Sequence, residues 1–268
     1  MLEDSPALRA ALGGLGPIAV LALLTWLASV ARRDVSLVDR SWSLFIAGAA
    51  LVYFALLPAP GLRGAWLTAL ALAWALRLSV YISARNWGHG EDRRYQAIRA
   101  RNQPNFALKS LVLVFTLQAV LAWVVSAPFF AAMSGARPFG GLDAAGLALA
   151  AFGIVFEAIA DMQMARFKSD PANRGRVMDR GLWRYTRHPN YFGETCVWWG
   201  FWLVALAGAG LAGAWSVVSP LLMTVLLLKV SGVSLLEADI TERRPAYRDY
   251  IDRTSAFVPA WPRPKGRA

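Results

Sequence analysis

Seven apolar runs of roughly twenty residues each dominate this sequence, and they leave few ways to fold. A helix rises about 1.5 Å per residue, so about twenty apolar residues match the hydrocarbon thickness of a bilayer. The runs cover about 16–31, 42–57, 65–84, 108–133, 142–164, 191–209 and 214–236 of the 268-residue chain. In lipid the backbone polar groups must be satisfied within the segment. The expected fold class is therefore all-α, a polytopic membrane bundle of seven transmembrane helices forming one domain over 1–268. Composition agrees, with 57% hydrophobic and 17% charged residues, against about 45–50% and 25% in soluble domains. This excludes a disordered chain and a disulfide scaffold.

The formal charge of +11 has a topological explanation. Basic residues gather on the cytoplasmic side of membrane proteins. Only Arg9, Arg63 and Arg137 fall on the side that holds the N-terminus; the other 25 of 28 Lys and Arg fall on or near the opposite side. The N-terminus is expected outside and the C-terminus in the cytoplasm. No nucleic-acid partner is expected. One cysteine, Cys196, and two histidines, His89 and His188, argue against an internal disulfide and a metal site. The opening stretch carries Glu3 and Asp4 where a signal peptide has a basic region.

Two polar segments and the tail are too long for simple connectors. They lie at about 85–107, 166–190 and 237–268, and are expected to be cytoplasmic and to cover a ligand site. Polar residues also intrude into the spans: Arg77, Gln118, Glu157, Asp161, Gln163, Glu194, Lys229 and Glu237. Such groups are costly at membrane depth unless they pair or face a cavity. Arg77 and Lys229 can snorkel to the interface. Glu157 and Asp161 stand four apart, on one helix face.

The second segment holds Arg166, Lys168, Arg174, Arg176, Arg180, Arg184 and Arg187 against Asp170 and Asp179. Arginine forks match phosphate oxygens. Trp183, Tyr185 and Tyr191 offer faces for a heterocycle. His188-Pro189-Asn190-Tyr191 reads as a rigid turn feeding a helix, with Asn190 and Glu194 four apart at its opening. A nucleotide suits this chemistry; so do anionic lipid headgroups. No Gly-x-Gly-x-x-Gly follows a strand pattern, so a Rossmann domain is not expected.

The run from Arg180 to Glu194, RGLWRYTRHPNYFGE, resembles the signature of the steroid 5α-reductase-like integral membrane proteins. The tail from Arg244 to Tyr250 and from Thr254 to Pro259 is similar to the end of that family. Gly90-Glu91-Asp92-Arg93-Arg94-Tyr95 fits its bacterial branch. The likeness runs through the chain and is strongest from about Asp161. Sterol reductases and membrane methyltransferases share the HPNY turn.

The resemblance implies NADPH, bound by loops from the cytoplasmic side, and a lipid-soluble steroid or similar enone as substrate. Asn190 and Glu194 then match nicotinamide and ribose contacts. Trp183, Arg187, His188 and Tyr191 match neighbouring cofactor positions, and Arg176 a phosphate contact. Asp161 corresponds to a carboxylate near the adenosine, with Lys168 beside it. Asn86 matches an Asn after the third span, and Asp239 and Arg243 fall at cofactor positions of the tail.

Reduction of a 4-ene-3-one needs hydride at C5 and a donor at the C3 oxygen, which gathers charge. The animal enzymes of this family use a Gln-Glu pair early in the second span and a Tyr on the third. This sequence has Asp39-Arg40-Ser41-Trp42 in the first place. Asp39 is the nearest carboxylate; it also reads as a helix N-cap or as a partner for Arg40. Tyr81 or Trp74 falls near the tyrosine position. Tyr95 and Tyr53 are further donors, or interfacial anchors. Three function classes stay open: an NADPH-dependent enone reductase, an S-adenosylmethionine-dependent membrane methyltransferase, and a non-catalytic transporter or scaffold. The oligomeric state is not legible.

Overall fold

The computed structural model describes residues 6–264 other than 231, 232, 234–236, 238 and 239; at Val230 and Arg243 it describes the backbone alone. No strand occurs among the described residues. Among the described residues, six helices are long and apolar enough to cross a membrane: Pro6–Arg32, Leu37–Leu56, Gly61–Arg85, Phe106–Ser134, Gly141–Ser169 and Pro189–Lys229. Large apolar side chains such as Leu24, Leu76, Val80, Leu108, Val112 and Val155 point outward on them. Length and outward apolarity together support an integral membrane protein in a lipid bilayer.

The sequence leads one to expect a break between two last spans, whereas the structure joins them in one 41-residue helical stretch. The join is a 3-10 segment, Gly210–Val217, between α-helices Pro189–Ala209 and Val218–Val225. Gly210 takes a left-handed φ of 62°, which only glycine adopts without strain. Trp202 Nε1 donates to the Ala214 carbonyl at 3.4 Å, and Trp199 Nε1 to Thr224 Oγ1 at 3.4 Å. In a straight helix, residues 25 apart would lie about 37 Å from each other. The stretch therefore folds back on itself.

The chain divides into two compact units, residues 1–147 with 201–219, and residues 148–200 with 220–268. In the first unit, helix Leu37–Leu56 carries much of the core: Val38, Phe45, Ile46, Ala49, Ala50 and Tyr53 are buried on it. Its polar side chains bond to neighbours. Ser43 Oγ donates to the Ala75 carbonyl at 2.9 Å, Trp42 Nε1 to the Gln118 carbonyl at 3.1 Å, and Tyr53 and Ser126 share a 3.0 Å hydroxyl pair. Arg63, read from sequence as a topological charge, is buried instead. Its Nε and Nη2 meet the two Asp143 oxygens at 2.6 and 3.1 Å, and Nη1 and Nη2 also donate to the Arg137 and Pro138 carbonyls. A buried ion pair is tolerated when its remaining donors are used in this way.

The polar segment 86–105 contains a helix, Arg93–Arg101. Asp92 starts it: its side chain accepts from the Arg94 amide at 2.9 Å. This satisfies one of the free amides of the first turn.

In the second unit, the later part of helix Gly141–Ser169 packs closely on the start of Pro189–Ala209. A Cβ on Gly153 would stand 2.5 Å from the Gly193 carbonyl oxygen, and one on Gly193 would stand 2.8 Å from Gly153 O. Only glycine at both positions permits this approach. Helix Tyr247–Arg253 then leads into a tail that returns along the segment before Pro189. The Arg187 amide donates to Ser255 O at 2.9 Å, Thr186 Oγ1 to Phe257 O at 2.8 Å, and the Ala260 amide to Tyr185 O at 3.0 Å. The buried Tyr250 hydroxyl donates to the Trp183 carbonyl.

Candidate functional site

Two groups of predicted residues come together, one in each unit. In the first unit Asp39 does not cap its helix; the N-cap is Ser36. Nor does it pair with Arg40, which lies 3.8 Å from Asp34 instead. Both alternative readings of Asp39 thus give way to a third. Asp39 Oδ1 accepts from the Tyr95 hydroxyl at 2.7 Å, and Oδ2 from Arg94 Nη2 at 3.0 Å. Two residues that the sequence offered as rival proton donors form one hydrogen-bonded pair across 56 positions. Tyr95 is buried. Burial, and then the negative charge of Asp39, push its phenol well above the ordinary value. The phenol therefore keeps its proton throughout the neutral range.

Helix Arg93–Arg101 is itself locked in place. Glu91 accepts from Arg99 Nε and Nη2 at 2.8 and 2.7 Å and from the Val35 amide at 2.8 Å. Burial would raise the Glu91 carboxyl, but these three donors hold it below its usual value. Sequence reasoning did not single out Glu91, Arg94 or Arg99. Their partners are set by the fold, since Glu91 stands before the helix that carries Arg94 and Arg99 and helical spacing does not relate them.

Tyr81 lies on the preceding helix, with the Arg85 guanidinium 5.6 Å from its ring centre. Asn86 accepts from Arg85 Nε at 3.1 Å, and its carbonyl accepts from Arg40 Nη2 at 3.3 Å.

In the second unit the helix opening falls where expected, at Pro189. Asn190 Oδ1 is shut away from solvent and has no hydrogen-bond partner among the described residues. One turn on, Glu194 is buried and accepts from Trp198 Nε1 at 2.8 Å. The close packing at Gly153 and Gly193 sets this turn beside Glu157; Glu157 and Asp161 are both buried. Trp183 is buried too, and its Nε1 donates to the Ala160 carbonyl at 3.0 Å. The Tyr191 ring stacks on His188, with centres 5.4 Å apart and planes 4° apart. Lys168 and Arg176 are exposed.

Arg187 and His188, expected beside the cofactor, are both held by Glu237. Arg187 Nε and Nη2 grip the two Glu237 oxygens at 2.7 and 2.9 Å, and Nη1 donates to the Thr254 and Ile251 carbonyls at 2.6 and 3.2 Å. His188 Nε2 lies 2.9 Å from Glu237 Oε1. Burial would raise the Glu237 carboxyl, but His188 and Arg187 hold it at about 2. The sequence showed Glu237 only as a polar residue at the end of a span; nothing local named its partners. Asp239 and the side chain of Arg243 lie outside the described residues.

An uncharacterized protein of Schizosaccharomyces pombe is similar to this chain, 27% identical over 268 residues, covering 90% of this chain and 77% of the relative. No solved structure matches. Residues 25–254 match the model of a family described as "Protein of unknown function (DUF1295)", which includes steroid 5α-reductase-like membrane proteins. Because the match spans both the helical stretches and the two polar groups described above, the chain belongs to the DUF1295 family.

Proposed function

We propose that the protein is an NADPH-dependent reductase of a membrane-soluble enone, such as a 3-oxo-4-ene steroid, in a bacterial inner membrane. Seven crossings result if each arm of the folded-back stretch Pro189–Lys229 crosses once. That odd count puts the N-terminus outside and the basic C-terminal tail in the cytoplasm.

One observation carries the cofactor reading: Asn190 Oδ1 is a buried acceptor without a donor, at the first turn of a helix. Leaving such an atom unmet costs about 1–3 kcal/mol. A ligand amide at this place removes the cost, and the nicotinamide carboxamide is one. The residues present fit the group: Asn190 would accept from the carboxamide, Glu194 would hold a ribose hydroxyl, and the exposed Arg176 would meet phosphate. When bound, NADPH supplies the hydride that C5 receives. The rest is the work of the chain. Arg94 and Tyr95 hold Asp39 by its two oxygens. With a proton on Asp39, the carboxyl donates to the phenol oxygen and the Tyr95 hydrogen turns to the ketone oxygen. A donor held ready in this way stabilises the charge that gathers there.

The test is a thermal-shift titration of detergent-purified protein with NADPH and with S-adenosylmethionine. NADPH should stabilise by about 2.7 kcal/mol at a hundredfold excess over Kd. Asn190→Ala and Glu194→Ala should each abolish the shift while still inserting and purifying. Arg176→Ala should weaken NADPH more than NADH. A shift with S-adenosylmethionine and none with NADPH would overturn the reading in favour of a methyltransferase.

A further inference from the structure

Within the second unit the tail and the segment before Pro189 form an open pocket of about 580 Å³. Asp179, Arg180, Arg184, Arg253, Pro262 and Arg263 line it. Four arginines thus meet one aspartate. Asp179 Oδ2 takes one donor, Arg253 Nη2, at 2.5 Å. Arg253 Nε is closed off from solvent and has no acceptor among the described residues. The guanidinium groups of Arg180, Arg184 and Arg263 make no hydrogen bond or ion pair among the described residues.

Backbone contacts impose this gathering of charge. The Arg263 amide donates to the Arg253 carbonyl at 2.9 Å, which brings those two arginines to one place. Arg180 precedes the 3-10 turn Gly181–Arg184, and Arg184 is its last residue. That turn is pinned by the Leu182 amide, which donates to Gln163 Oε1 at 2.9 Å. Gly181 has a φ of 57°, and a Cβ there would stand 2.5 Å from Gln163 Oε1. Like charges held together repel one another unless an anion sits among them. One aspartate is too little for four guanidinium groups, and a single carboxylate offers only two oxygens. A phosphate group offers three, in the geometry the arginine fork fits. At the edge, Trp261 is 80% exposed, with its ring 5.4 Å from that of Tyr185. An exposed indole beside phosphate-binding groups suits the headgroup level of a bilayer and the flat face of a heterocycle alike.

We infer that this cavity binds a phosphate group, carried by a lipid headgroup or by a soluble phosphate ester. Neither Asn190 nor Glu194 lines this pocket, and the proposal does not rest on the reductase reading.

The test uses the full chain in uncharged detergent, titrated with inorganic pyrophosphate by calorimetry. In parallel, the chain is placed in phosphatidylcholine nanodiscs with and without phosphatidylglycerol, and retained lipid is read by native mass spectrometry. The variant is Arg184→Ala with Arg263→Ala, two exposed side chains whose loss leaves the backbone contacts in place. Each removed arginine should weaken phosphate binding about tenfold. Loss of pyrophosphate binding with phosphatidylglycerol retained supports the site and names a soluble ester. Loss of phosphatidylglycerol retention, with pyrophosphate weak throughout, supports it and names a headgroup. Unchanged binding of both probes in the variant overturns the proposal, as does a wild-type chain that binds neither.

Discussion

Two carboxylates in this chain each meet an arginine and a second polar side chain, and the two arrangements differ in how completely they are closed. Glu237 receives a two-pronged grip from Arg187 and a contact from His188. Arg187 spends its remaining donors on two tail carbonyls. Its side chain is 9% exposed. Asp39 receives one donor from Arg94 and one from Tyr95, and the Arg94 side chain is 41% exposed. A closed network fixes backbone, because every donor is used and any shift leaves a charge unpaired. A half-open one keeps a proton within reach of an incoming oxygen. The first arrangement ties the tail to the segment before Pro189; the second is the one to which the proposed reduction assigns its proton donor.

The sharpest way to break this contrast is to measure turnover and stability in the same variants. Tyr95→Phe should lower NADPH-dependent reduction of a 4-ene-3-one by about 10²–10³, the usual loss for one donor to a developing oxyanion. NADPH stabilisation and melting temperature should hardly change. Asp39→Asn should be slower by at least about tenfold, since it keeps the shape but cannot carry the proton onward. Wild-type turnover in both variants would remove the pair from the mechanism.

Glu237→Gln should act the other way round, on stability. Breaking a largely buried pair costs about 3 kcal/mol, and limited trypsin digestion should then release the tail from Arg244 onward. If digestion of that variant matches wild type, the grip on the tail is not what holds it. The same pair sets a pH window. The Glu237 carboxyl is held at about 2, below its ordinary 4.5. Its contribution is therefore fully present above pH 4.5 and is lost as the pH falls from there towards 2. Hydrogen exchange at the Arg187 amide should stay slow at pH 5, once corrected for intrinsic rate, and lose protection through that window. Loss of protection already above pH 5 would contradict the assignment.

The smallest effect is expected at Arg94. Its pair with Asp39 is more than a third exposed on the arginine side, and such pairs contribute about 0–1 kcal/mol. Arg94→Gln should therefore shift the melting temperature little while still slowing turnover. A large loss of stability would move Arg94 into the same class as Arg187.

Much of the framework could be read from residues. Apolar runs of bilayer length marked the spans, and Pro189 marked the opening of the helix that carries Asn190 and Glu194. Glu157 and Asp161, four apart, do share a helix and are both buried. The helix Arg93–Arg101 was missed because its segment was read for length and polarity. The cap at Asp92, followed by residues that favour helix, was the available signal. The fold-back within Pro189–Lys229 was legible as the gap between the runs 191–209 and 214–236, but its helical dihedrals were not, since small apolar residues suit both a turn and a helix.

What the sequence determined by itself is local or additive: hydropathy over twenty residues, the sign of the charge on each loop, the start of a helix at a proline. These follow from neighbours along the chain, and no other part of the molecule is needed to read them. Only the tertiary structure decided that Tyr95 donates to Asp39 across 56 positions and that Arg187 grips Glu237 across 50. A side chain's partner at such a distance leaves no period in the sequence, because the choice among several arginines and carboxylates is made by which helices pack together. Arg187 and Arg184 stand three residues apart in one basic segment and look alike as letters. Burial gave one to the tail and left the other in an open cavity.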